Sequence, residues 1–543
     1  MKLLLISHLQ IIAIPSNTDD FLYIKLAYFF KIGRWLGPYD QYTLFKNAFY
    51  SIFIGFVSKS GISLIIFIHL LYSISGIYFI TLLKNKMYIN PLVLIFTFII
   101  FEFNPILTAS DNLRTLREPI YMSLVMIYIT SAVYSIQKFD KLINKVPHLL
   151  IAGVFGAFAY YTKEEGIWIY FILFCIAILA AFTYSHINIR NLTIQAISIL
   201  AVFSIMQLTL HYYKQMNLKY YKYYILSESN DGANEKKALA LLSKINPDTK
   251  MQNVIVKKAT RYELYEKIPA FKELSIYEES IFQGWSEEKM GNPGCPLPLG
   301  DICKETTHFT WAMRNVLTQL GYYQNPKTAD AYYGRLANEL EDACNKNIIK
   351  CQGISFIQRI VPVLDESSLN ISFFFTKFFE GLYKFTFLSG YDLDKSEAGE
   401  YSYGNEETYL ITKKVTNCDL KMQSNTKYTT LISLKNTILQ GIYYLYACAI
   451  PFIIILIGIY LLYKSFKNKN YYPSSLTYLL FCLIVILLSR HTILTLMTIF
   501  GHYYFRIQYF TPSYTLLLAI CITLICMLSV ELNTINNSKS SAQ

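Results

Sequence analysis

The pattern of apolar positions divides the chain into long hydrophobic runs and one long polar stretch. A membrane-spanning helix needs about 20 mainly apolar residues. The run 1–14 is too short to span, and because no small-residue cleavage site follows it, we favour a truncated first transmembrane helix over a signal peptide. We predict a mainly α, polytopic membrane helix bundle of about 9–10 transmembrane helices. Longer runs occupy 62–83, 91–108, 119–137, 148–161, 167–184, 192–211, 437–463, 473–489 and 508–530.

Basic residues in the connections predict the orientation of the bundle. They recur near 84–86, 138–145, 186–190 and 464–469, at every second connection, as cytoplasmic loops do. The alternate connections then face outward. The predicted regions are a partial first transmembrane helix (1–14), an outer loop with interfacial helices (15–61), a transmembrane block (62–211), an outward-facing domain (212–436), a C-terminal transmembrane block (437–530) and a cytoplasmic tail (531–543).

Composition supports a membrane protein and argues against nucleic-acid binding. Hydrophobic residues make up 53% of the 543 and charged residues only 16%, whereas soluble domains carry about 25% charged residues. The formal charge is +12, but the basic residues lie in short loops and form no stripe along one element. We therefore expect the lipid bilayer, and no nucleic acid, among the partners.

The polar stretch 212–436 is predicted to be a large, mostly helical soluble insert. Helices are expected from about 308 to 320 and from 329 to 343, the second with Tyr332, Leu336 and Leu340 on one face. The insert also carries close cysteine pairs. Disulfides in an oxidising compartment are favoured over zinc binding, because no CxxC or Cys/His spacing is present. The pairs are Cys295 with Cys303 and Cys344 with Cys351, which leaves Cys418 without an obvious partner.

Two outward connections carry unusual charges. Asp19 and Asp20 stand together in the first, where paired acids are either a helix N-cap or a site. The second contains Arg114 and Arg117, placed against the charge bias for outer loops. Two planar guanidinium groups suit a phosphate, whereas a salt-bridge cluster at a helix start is the structural alternative. Asp111 and Glu118 in this loop are available to pair with the arginines, and Asp111 is a candidate second acidic site.

The remaining outward connections are also charged. The tight turn between two apolar runs carries Lys163, Glu164 and Glu165, more charge than a turn requires. The last connection contains Arg490, His491, His502 and Arg506, of which Arg506 is the favoured phosphate candidate. Because all these groups face the same side, we predict an aqueous pocket at the outer membrane surface.

These motifs resemble the GT-C superfamily of polytopic glycosyltransferases, which use polyprenyl-phosphate sugar donors. The resemblance covers about 15–211 and 437–530 and lies closest to uncharacterised bacterial envelope members. It is carried by Asp19-Asp20, by the order and sidedness of the charged loops, and by three short patterns. These are Trp35 to Tyr39, Arg114 to Glu118 and Lys163 to Gly166, and Trp311 to Arg314 is also similar to that group's outer domain. The family usually has Asp-Glu or a lone Asp where this chain has Asp-Asp.

The resemblance implies an integral membrane enzyme of the bacterial inner (plasma) membrane with a periplasmic insert. Such an enzyme moves a sugar from a polyprenyl-phosphate donor to a glycan, lipid or protein acceptor, with inversion. Asp19 and Asp20 are then the catalytic residues, with Asp19 as the base and Asp20 orienting it or substituting for it. Arg114, Arg117, Lys163 and Arg506 bind the phosphate, with Glu118, Glu164 and Glu165 in the same site. A divalent cation assists some relatives, although no metal ligands are assigned here. The alternative is a non-catalytic envelope transporter, flippase or polysaccharide-assembly protein.

Overall fold

A computed structural model describes the chain as an assembly of helices. The described residues are 1–12, 19–86, 89–137, 142–184, 189–246, 254–286, 305–306, 308–352, 371–392, 406–418, 430–467, 475–501 and 507–540. Within these ranges extended backbone pairs only in isolated bridges. The mainly helical fold is thereby confirmed.

The α-helices are numbered in chain order. The first nine are α1 (Lys2–Ile6), α2 (Asp19–Lys31), α3 (Phe49–Ser60), α4 (Leu64–Lys86), α5 (Pro91–Glu102), α6 (Glu118–Ser135), α7 (Val146–Tyr160), α8 (Ile167–Tyr184) and α9 (Ile189–Tyr221). The next six are α10 (Glu228–Asp231), α11 (Ala233–Leu242), α12 (Lys258–Lys267), α13 (Pro269–Lys272), α14 (Phe309–Gln319) and α15 (Pro326–Asn345). The last five are α16 (Ile371–Thr386), α17 (Glu406–Thr416), α18 (Thr430–Lys467), α19 (Ser475–Gly501) and α20 (Ile507–Ser540).

Seven helices in the described part of the chain are long and apolar enough to cross a membrane, which makes this a multi-pass membrane protein. Their spans are Leu64–Asn85, Pro91–Thr108, Ile143–Tyr160, Ile189–Tyr221, Thr430–Tyr460, Leu476–Ile499 and Tyr509–Asn533. Two further predicted segments correspond to α8, a shorter apolar helix, and to α6. Every residue of α6 is buried, because α4, α7, α8, α9 and α20 surround it.

Several helix starts follow from an Asn-Pro pair in the sequence. The side chains of Asn90 and Asn325 accept hydrogen bonds from backbone N–H groups at the starts of α5 and α15, and Pro occupies the first helical position in both. An Asn in this place satisfies an N–H group that has no partner within the helix, and Pro has no N–H group to satisfy there. The same pair, Asn104-Pro105, begins the 3₁₀ turn that follows α5.

The amino-terminal run differs from the prediction. Of the predicted partial transmembrane helix 1–14, the structure describes 1–12, where α1 spans only Lys2–Ile6. The Ile12 backbone N–H donates to the Leu113 carbonyl at 3.0 Å. This stretch therefore lies against the loop before α6. The following helices α2 and α3 pack on each other, and α17 packs on both.

Helices α11 to α15 enclose a second hydrophobic core. As predicted, Tyr332, Leu336 and Leu340 are buried on one face of α15, and they pack in this core against residues of α11 to α14. The predicted disulfide between Cys344 and Cys351 is confirmed. The predicted Cys295–Cys303 pair lies outside the described residues, and Cys418 is a buried free thiol whose sulfur lies 3.1 Å from the Ser63 hydroxyl.

Candidate functional site

Ten charged side chains from distant parts of the sequence meet at one end of the membrane bundle. They come from α2, the loop before α3, the loop entering α6, the turn between α7 and α8, and α19. We call them the charged cluster: Asp19, Asp20, Lys46, Arg114, Arg117, Glu118, Lys163, Glu164, Glu165 and Arg490. Five cations face five carboxylates, so the cluster is formally neutral.

The two aspartates are the first residues of α2 and have different surroundings. The Asp19 side chain is 29% exposed and pairs with the Lys46 ammonium at 2.9 Å. Burial raises its pKa, but the charges of Lys46 and Arg117 outweigh burial and leave the pKa below the ordinary value. Asp20 is 2% exposed and pairs with Arg114 at 2.6 Å. Here burial dominates over Arg114, and the pKa of Asp20 is raised. The adjacent carboxylates therefore differ in both access and basicity.

Arg117 is held by a bidentate ion pair at the turn between α7 and α8. Its two terminal nitrogens donate to the two carboxylate oxygens of Glu164 at 2.7 and 2.5 Å, and one of them also donates to the Thr162 carbonyl at 3.1 Å. Burial raises the pKa of Glu164, but the charges of Arg117 and Lys46 outweigh it, so the pKa is lowered. Arg114 and Arg117 both donate N–H groups to carboxylates of the chain, as in the salt-bridge alternative that the sequence leaves open for these two arginines.

The deeper half of the cluster is a chain of alternating charges. Lys163 lies 3.2 Å from Glu118 and 3.3 Å from Glu165, and Glu165 accepts a hydrogen bond from Arg490 at 2.7 Å. Arg490 is about 15 residues from the start of α19, or roughly 22 Å along the helix at 1.5 Å per residue. It therefore lies within an apolar span, where an ionisable side chain is costly and marks a candidate functional position.

Four buried polar atoms in and around the deeper half of the cluster have no hydrogen-bond partner among the described residues. They are Nε and Nη1 of Arg490, the hydroxyl group of Tyr121 and Oε2 of Glu118. Two cations lie near the Tyr121 ring, with Lys163 Nζ 5.3 Å and the Arg490 guanidinium 5.9 Å from its centroid. Because buried polar groups are nearly always paired, this set of donors and acceptors is a candidate contact surface for a polar ligand.

Arg506, one of the four predicted phosphate-binding residues with Arg114, Arg117 and Lys163, lies outside the described residues, and Arg490 is not among the four. The sequence signal for Arg490 is a charged residue within an apolar run. It is missed because Arg490 is predicted to lie in an outward loop, whereas Arg490 lies inside α19. Burial lowers the pKa of Arg114, but the negative charges of Asp20 and, more weakly, of Asp111 outweigh burial, and the pKa is raised. Asp111 therefore lies near enough to Arg114 to interact with it electrostatically.

Arg314, a motif residue outside the charged cluster, connects α14 of the second core to the loop between α2 and α3. Arg314 is fully buried and donates to Glu228 at 2.8 Å, to Glu235 at 2.6 Å and to the Gln41 carbonyl at 2.9 Å. Its guanidinium lies 3.9 Å from the Phe45 ring centroid. Arg314 thus fixes α14 to the loop that leads to Lys46, a contact that the sequence did not predict.

The described residues contain no group of three or more His, Cys, Asp or Glu side chains placed to hold a metal ion. Comparison with family models, with curated proteins and with solved structures found no match to this chain. The fold and the site define a helical, multi-pass membrane protein with a charged cluster at one end of its bundle.

Proposed function

We propose that this protein transfers a sugar from a polyprenyl-phosphate donor to an envelope acceptor, with the charged cluster as its active site. The proposal rests on one observation above all. Asp19 is a partly exposed carboxylate that interacts electrostatically with Arg117. Arg117 pairs with Glu164. The next residue, Glu165, pairs with the buried Arg490, whose Nε and Nη1 have no hydrogen-bond partner among the described residues. A proton acceptor and an anion-binding donor in one continuous cluster are the two elements that this reaction requires.

Asp19 is the proposed base. Its lowered pKa keeps it ionised at neutral pH, and its exposure makes it reachable by an acceptor hydroxyl or amine. Asp20 is the stronger base by its raised pKa, but its carboxylate is enclosed by Arg114 and by Thr115, whose hydroxyl donates at 3.3 Å. We therefore assign Asp20 the role of positioning Arg114 beside the attacking group.

Arg490 and Lys163 are the proposed partners of the donor phosphate. In the reaction the acceptor loses a proton to Asp19 and its oxygen or nitrogen forms a bond to the anomeric carbon. The bond from that carbon to the phosphate oxygen breaks, and the electron pair leaves on the lipid phosphate. The N–H groups on Nε and Nη1 of Arg490, which have no partner in the described part of the chain, can stabilise this developing charge, whereas the terminal nitrogens of Arg117 already contact Glu164. Direct displacement inverts the anomeric carbon.

The test compares lipid-linked sugars and envelope glycans in cells that lack the gene with cells that carry the wild-type, Asp19→Asn or Asp40→Asn protein. Asp40 is a matched control, because it is also partly exposed and pairs with Lys25 near the same loop. We expect loss of the gene and Asp19→Asn each to accumulate the lipid-linked donor, and Asp40→Asn to restore the wild-type pools.

Two results would contradict the proposal. If both pools are unchanged when the gene is lost, the protein performs no sugar transfer in the envelope, and a transporter or an assembly protein becomes the better assignment. If loss of the gene changes the pools but Asp19→Asn leaves them normal, with wild-type protein levels, the transfer reaction stands but Asp19 is not its base.

A further inference from the structure

Helix α16, within the predicted water-facing insert, packs instead on the membrane helices α19 and α20. The buried His491 side chain of α19 donates through Nε2 to the Phe378 carbonyl at 2.7 Å. The Phe385 ring lies 5.3 Å from the His491 ring and 5.8 Å from the Phe510 ring of α20. Phe374 packs against Ile499, near the end of the same apolar span. Helix α16 therefore follows the last third of a membrane-spanning helix.

Two different stripes flank this packed face. At about 100° per residue, Lys377, Glu380 and Lys384 fall on one side of it, where Glu380 pairs with both lysines at 2.8 Å. On the other side lie the residues that we call the aromatic stripe, and they are largely exposed: Ile371 (72%), Phe375 (51%), Phe379 (58%) and Tyr383 (59%).

The aromatic stripe is a contiguous, mainly apolar surface of the size that is often functional. Four large side chains, each at least half exposed, present roughly 400 Å² of mainly apolar surface. That area matches the largest patch on a typical soluble monomer, and such patches mark contacts with membranes or with other proteins.

We propose that the aromatic stripe of α16 contacts the acyl chains of the bilayer, while its charged stripe faces away from them. Lipid is the expected partner because α16 packs beside the apolar span Leu476–Ile499. The exposed side of α16 therefore lies at the same depth in the bilayer as that span.

This placement connects the bilayer to the charged cluster. After α16, the Asp392 carbonyl accepts a hydrogen bond from the Ser110 backbone N–H at 2.7 Å. The Tyr391 hydroxyl lies 2.9 Å from the Thr108 hydroxyl. Both contacts fall on the loop that leads to Arg114, so a lipid-anchored α16 holds this loop from the membrane side.

The test uses the full-length protein in vesicles of phosphatidylethanolamine and phosphatidylglycerol, with azidophenylalanine in place of Phe375 or Phe379. This residue is nearly isosteric with Phe and cross-links to its neighbours on irradiation, and mass spectrometry identifies the adducts. We expect lipid adducts at both positions. At Phe385, which is buried against α19 and α20, the same label should give cross-links within the chain and no lipid adduct.

A second measurement does not depend on the label. Phe379→Trp should add fluorescence that lipids brominated on their acyl chains quench, relative to the parent protein with its four tryptophans. Two results would overturn the proposal. One is cross-linking between two copies of the chain at positions 375 and 379. The other is reaction of the azide with water alone, together with Phe379→Trp fluorescence that brominated lipids do not quench. Neither measurement involves sugar transfer, so the outcome is independent of the proposed reaction.

Discussion

Glu165 is the carboxylate on which the deeper half of the charged cluster depends, and Glu165→Gln is the sharpest perturbation of it. One oxygen of Glu165 accepts from Arg490 at 2.7 Å and lies 3.3 Å from Lys163. The Arg490 and Lys163 side chains are 0% and 2% exposed. Gln preserves the shape and one acceptor oxygen, but it removes the charge that two buried cations share.

The expected cost follows from burial. Removal of one partner from a buried ion pair destabilises a protein by about 3–5 kcal/mol, because the other charge stays buried without compensation. Glu165 is 12% exposed, and Glu118 remains beside Lys163, so we expect the lower end, about 3 kcal/mol. For a chain of 543 residues that unfolds as one unit, this corresponds to a Tm lower by roughly 3 °C.

The assay is thermal unfolding of the purified protein in detergent, followed by intrinsic fluorescence. Glu380→Gln is the matched control, because Glu380 also pairs with two lysines but at a surface where each partner is about a third exposed. Such pairs contribute about 0–1 kcal/mol. A double-mutant cycle with Arg490→Gln should show coupling, since the double variant leaves no unpaired arginine. Equal losses for Glu165→Gln and Glu380→Gln, or additive losses in the cycle, would refute this account.

Two further predictions concern backbone strain and pH. Gly37→Ala should destabilise by about 1–3 kcal/mol or more, because Gly37 has φ +92° and an added Cβ would overlap the Phe29 ring. Gly33→Ala, at φ +80° with open space around it, should cost less in the same thermal assay. Burial raises the pKa of Glu164, but the charges of Arg117 and Lys46 outweigh burial, so the folded pKa lies below the ordinary value. The ion pair therefore contributes stability above about pH 4.3, and this contribution is lost as the pH falls through the folded pKa. Thermal unfolding at pH 3 to 7 should show less acid destabilisation for Glu164→Gln than for wild type, and identical acid profiles would contradict this assignment.

The sequence by itself determined the helices. Long apolar runs form helices in a membrane because no water is available for unpaired backbone groups, so periodicity and run length were sufficient for α4, α9 and α18. The spacing of Tyr332, Leu336 and Leu340 likewise predicted which face of α15 is buried. The Asn-Pro pairs determined where α5 and α15 begin, because capping is a local interaction.

Only the tertiary structure decided how the charges pair. Sequence order and sidedness placed Asp19, Arg117 and Glu165 at one end of the bundle. Which carboxylate neutralises which cation depends on distances between segments up to hundreds of residues apart. Arg490 shows this clearly, because its partner Glu165 precedes it by 325 positions. The same is true of α16, whose stripes are encoded locally but whose position against α19 and α20 depends on long-range packing.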